Sequence, residues 1–168
     1  MDIQKSLVFT ILSIVAIAIS LLLVQLIIKG KKLIIDKGGN NNLSFSFYFS
    51  GMFLSISIVI SKCISLLSEA IDNIYKMSNE NLFQEIFKTA TIYLGLSFIW
   101  FLLLFFVSSI LSSIIVGNKK DSTEIEKNNV QYVIIKSIIL IGTIITCSSI
   151  LESLLRNFLP SIQIPFYH

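Results

Sequence analysis

Histidine occurs once in this 168-residue chain, at His168, and the two cysteines, Cys63 and Cys147, have no CxxC or Cys/His pattern around them. These absences leave no zinc-ligand spacing and no dithiol redox motif. Both cysteines read as small apolar fillers of helix interfaces. There is also no glycine-rich phosphate loop, no Ser/His/Asp set and no pair of carboxylates within an apolar run. P-loop chemistry and triad hydrolysis therefore have no residues to use, and no catalytic, cofactor-binding or metal-ligating residue is assigned.

Charge is scarce as well. Asp, Glu, Lys and Arg make up 14% of the chain against 54% hydrophobic residues, and the mean hydropathy of +0.84 does not fit a soluble domain. The net charge of +3 is small and scattered, and no compact run mixes basic with stacking aromatic side chains, which argues against a nucleic-acid partner.

What remains is apolar and long. Ser6 to Ile28, Gly38 to Ser61 and Thr89 to Asn118 contain no Asp, Glu, Lys, Arg or His. At about 1.5 Å per residue, each is long enough to cross a hydrocarbon core of roughly 30 Å. A fourth run, Val130 to Leu151, is interrupted only by Lys136. Four spans are expected, at about 7–28, 43–66, 90–115 and 130–152, in a single all-α membrane domain whose first partner is the lipid bilayer. Ala16 and Ala18 imitate a signal-peptide cleavage site, but the apolar run continues beyond them, so the first span reads as retained.

The first loop carries Lys29, Lys31, Lys32 and Lys37 and the third carries Lys119, Lys120 and Lys127, against Lys5, Lys76, Lys88 and Arg156 on the other side. By the positive-inside rule, the first and third loops face the cytoplasm of a cell (inner) membrane, and the termini and second loop lie outside.

Sliding the chain by 87 residues superposes Asn41, Asn42, Leu43 and Phe45 on Asn128, Asn129, Val130 and Tyr132, and Gly30 on Gly117. Both glycines close an apolar span, where glycine ends helices. The chain thus reads as two tandem, parallel helical hairpins (repeats at about 7–68 and 90–155), with an outer loop at 69–88 and an interfacial tail at 156–168. Each copy has two helices, so both insert with the same orientation, with the pseudo-two-fold axis along the membrane normal, unlike inverted-repeat transporters. The asparagine pairs read as N-caps at the bilayer boundary, where an unsatisfied N–H is costly. The sharper alternative makes Asn41, Asn42, Asn128 and Asn129 a polar mouth or docking surface.

The stretch "NNNLSFSFYFSGMFLS", through Asn41, Asn42, Ser50 and Gly51, resembles the entry to the second helix in the YjfL-like family of small bacterial inner-membrane proteins. The resemblance implies four spans built as a duplicated helical pair over nearly the whole chain. It implies an architecture and no activity.

Small residues repeat at helical spacing. Ser50, Gly51, Ser57, Ser61, Ser65 and Ser68 mark the second span, Ser108 with Ser112 and Ser109 with Ser113 the third, and Gly142 with Thr146 the fourth. Such spacing lets helices approach closely in lipid, although a hydrophilic path would use the same residues. The intramembrane charges Lys62 and Lys136 lie near opposite interfaces and read as snorkelling anchors, with a functional role as the alternative. Within 69–88, Ile71, Ile74, Tyr75, Leu82, Phe83, Ile86 and Phe87 fall at helical spacing with acidic groups opposite, and the loop has a net charge of −2. Two short amphipathic pieces, broken near "MSNEN", are expected to lie on the membrane or on a partner. The leading function is a non-catalytic membrane subunit that acts by assembling with itself or with other membrane proteins. A small transporter or channel-forming oligomer with serine-lined faces is the alternative.

Overall fold

The computed structural model describes residues 3–31, 42–77 and 81–160. They form α1 (Ile3–Gly30), α2 (Leu43–Lys76), α3 (Leu82–Val116), α4 (Asp121–Glu126) and α5 (Val130–Arg156), with no strand among the described residues. All but α4 are long and apolar enough to cross a membrane. Asn41, the rest of the first loop and the tail beyond Pro160 lie outside the described residues.

The middle of the bundle is α2, which packs against α5, α3 and α1. Its buried positions, among them Tyr48, Met52, Ile56, Val59, Cys63, Leu67, Ile71 and Ile74, recur every three or four residues. Helical periodicity carries those side chains along one broad face. On α5 the inward positions Tyr132, Lys136, Leu140, Ile144, Leu151 and Leu155 form a matching stripe. The two helices meet most closely where Gly51 faces Ser137. A Cβ added at Gly51 would lie 2.6 Å from the Ser137 Cβ, so only glycine fits there. Buried Ser108 and Ser112 likewise let α3 approach its neighbours.

α1 is peripheral. It buries Ala16, Ser20, Val24 and Ile28, one residue per turn, and leaves Ile14 61% and Leu26 67% exposed. Apolar exposure on this scale is unfavourable in water and neutral in lipid. Several hydroxyls in the spans are satisfied locally: Ser20, Ser57, Ser97 and Thr143 donate to the carbonyl four residues back at 2.7 to 2.8 Å, whereas those of Ser44, Tyr48, Ser55 and Tyr93 are buried without a partner among the described residues. The back-bonded geometry meets the demand for internal hydrogen bonding in a bilayer.

The structure corrects several expectations. The 69–88 stretch does not form separate surface pieces, because α2 continues to Lys76 and α3 begins at Leu82. No helix breaker stops α2 at the span boundary, and Ile71, Ile74 and Ile86 are buried in the common core, so packing extends both helices. Phe83 and Phe87 alone of that apolar set stay largely exposed, at 80% and 67%. Of the expected break near "MSNEN", residues 78–80 lie outside the described residues. Ser50, Ser61 and Ser65 are exposed, as are Gly142 and Thr146, so these small residues do not join helices within the chain. On α5 the face through Leu140 and Ile144 does the packing, which turns Gly142 and Thr146 outward.

Candidate functional site

Four helix ends converge at one end of the bundle: the last turn of α1, the first turns of α2 and α5, and the last turn of α3. Each start of a long helix there has an asparagine N-cap. The Asn42 side-chain oxygen accepts from Phe45 N–H at 2.9 Å, and that of Asn129 from Tyr132 N–H at 3.2 Å. These caps and their donors stand 87 residues apart in sequence, and each satisfies one orphan donor of a first helical turn.

The asparagines also bind across the bundle. Asn42 donates its amide to the Ile125 carbonyl at 2.9 Å, while the Asn128 side-chain oxygen accepts from Ser44 N–H at 3.0 Å. Asn128 thus caps α2, not the helix that follows it. Its φ of 52° is left-handed, a conformation asparagine tolerates better than most residues. That turn ends α4 with a Schellman pattern, Asn128 N–H to the Ile125 carbonyl at 3.0 Å and Asn129 N–H to the Glu124 carbonyl at 2.9 Å. Asn129 closes the set by donating its amide to the buried Glu124 carboxylate at 2.6 Å. The cluster brings together Asn42, Asn128 and Asn129: the Ile125 carbonyl accepts from both Asn42 and Asn128, and Glu124 accepts from Asn129.

At the other end of α4 lies Asp121, whose side chain is 8% exposed. It accepts from Lys136 Nζ at 2.5 Å and from Tyr132 Oη at 2.8 Å, both on α5, and it pairs with Lys31 at the end of α1. Lys31 also lies 4.8 Å from the centre of the Phe105 ring and 5.7 Å from that of Tyr48, positions that suit cation–π attraction. Burial alone would push the Asp121 carboxyl up. Lys31 and Lys136 outweigh it and hold the group below the ordinary carboxylate range. Burial likewise pulls Lys31 down, against the attraction of Asp121.

Lys136 is therefore not a lipid anchor. Only 8% exposed, it turns inward because a carboxylate on α4 supplies a partner that the interface cannot match. Lys62 stays half exposed and lies 3.7 Å from Glu152 on α5, in a group at the opposite end that includes Arg156, Glu69 and Glu152. Exposed pairs of this kind contribute little. Sequence reasoning missed Asp121 and α4 altogether. The available signal was the run of Asp121, Glu124 and Glu126 inside a loop otherwise read for its lysines.

Among protein families, the model of the family described as Domain of Unknown Function (DUF350) matches residues 2–151. The chain belongs to that family, which agrees with the resemblance carried by Asn41, Asn42, Ser50 and Gly51. No curated protein matches the chain, and no solved structure does.

Proposed function

We propose that this member of the family of unknown function is an integral membrane subunit that acts by assembling with copies of itself or with other membrane proteins, without catalysis of its own. One observation carries the reading: α5 turns Gly142 and Thr146, one helical turn apart, away from every described helix, and the space a Gly142 side chain would fill is open. The Thr146 hydroxyl bonds back to the Gly142 carbonyl at 2.9 Å, which leaves a smooth, small-residue strip beside exposed Ile138 and Ile145. Such strips let backbones approach in lipid, where packing drives association.

The same reading places the asparagine and Asp121 end at the cytoplasmic face of a cell membrane, from the lysine bias of the first and third loops. It also takes α1 with α2 and α3 with α5 as two copies of one hairpin. Their matched caps support this.

A groove between α1 and α2 favours a second reading, a transporter or channel-forming oligomer. It measures about 420 Å³ and is lined in part by Ser13, Ser20, Ser57 and Ser61. Reconstitution in liposomes separates the two: solute or ion flux that a Ser57→Leu change abolishes would replace assembly by transport. Mass measurement on the purified membrane protein and on Gly142→Leu tests the assembly reading itself.

A further inference from the structure

The Asp121 cluster opens onto a cleft of about 320 Å³, whose walls include Lys31, Lys119, Lys120, Lys136 and Asp121. Four lysines and one aspartate line it. Two of them, Lys31 and Lys136, are 26% and 11% exposed and share that carboxylate, so one largely buried positive charge has no counter-charge among the described residues. A buried charge is costly until an opposite charge joins it. A structural ion pair would account for Lys136 with Asp121 and would need none of the other three lysines.

We propose that this cleft binds the phosphate group of an anionic ligand. The phosphate supplies the missing negative charge to Lys31 and Lys136 and takes its outer oxygens toward Lys119 and Lys120. Ser109, Asn118 and Ser122 also line the space, and hydroxyl and amide side chains can donate to a group with several acceptor oxygens. A carboxylate, with two oxygens, would leave most of these donors unused. The cleft lies among helix ends, where phospholipid headgroups sit, and basic pockets between transmembrane helices suit such headgroups. A phosphate group reaches it either on an anionic lipid or free in solution, and this inference holds whether or not the chain assembles.

The test uses the full chain in neutral detergent and the Lys119→Gln/Lys120→Gln double variant. Both lysines are exposed and their side chains take no part in the cap network, so the variant should melt at the wild-type temperature. One arm titrates inorganic phosphate by calorimetry. The other compares retention of phosphatidylglycerol and phosphatidylcholine by native mass spectrometry. Saturable phosphate binding identifies a soluble ligand, and selective retention of phosphatidylglycerol identifies a headgroup. In either case the double variant should lose on the order of tenfold in affinity. Binding in neither arm, or binding that the double variant leaves unchanged, overturns the proposal.

Discussion

The side-chain oxygen of Asn128 lies 3.0 Å from the backbone nitrogen of Ser44, 84 residues away in sequence, and so caps a helix in the other half of the chain. With the Asn42 amide on the Ile125 carbonyl, it ties the start of α2 to the end of α4 twice. Local caps fix where helices start, and these two cross-links fix how the halves meet.

Asn42→Ala and Asn128→Ala should each lower stability by about 0.5 to 2 kcal/mol, as lost caps do. Because both bonds hold the same two segments, the double variant should cost less than the sum of the single ones. Thermal unfolding in detergent checks this. Strict additivity would show that the two bonds act independently.

Gly51→Ala should destabilise by about 1 to 3 kcal/mol, because its Cβ meets Ser137. Combined with Ser137→Gly, which removes the opposing Cβ, it should cost less than the two single changes added. Melting temperatures of the three variants decide it, and equal stability of Gly51→Ala and wild type would place α2 and α5 farther apart.

The spans and two of the caps were legible in the sequence for physical reasons. Charge-free runs report bilayer length, and asparagine before an apolar run reports an orphan N–H. Gly51 was readable as a close-approach residue, although its partner was not. Asp121 was not legible, since its partners Lys31 and Lys136 stand 90 and 15 residues away and only tertiary packing joins them. The outward turn of Gly142 and Thr146 also escaped a reading based on spacing, because spacing defines a face without saying what covers it.

Asp121→Ala should cost about 3 to 5 kcal/mol, since it strands two poorly solvated lysines. Acid should act on the same group. A carboxyl held below its unfolded value contributes stability that is fully present above about pH 4 and is lost as pH falls through its folded value. Melting temperature followed from pH 7 to pH 3 should therefore drop at the acid end in wild type and drop less in Asp121→Ala. Parallel curves would remove Asp121 from the account of acid stability.

Orientation is open to labelling in a background lacking Cys63 and Cys147. A membrane-impermeant thiol reagent outside the cell should modify a cysteine placed at Asn81 and spare one at Lys120. The reverse pattern would turn the molecule over and put the Asp121 cleft outside.

Assembly through the uncovered face of α5 is tested most directly by the mass of the protein extracted from its native membrane, measured with lipid and detergent contributions removed. Wild type should exceed the 18.9 kDa of one chain, and Gly142→Leu should fall to one chain while melting at an unchanged temperature. A wild-type protein that runs as a single chain, or an assembly that Gly142→Leu leaves intact, would contradict the claim.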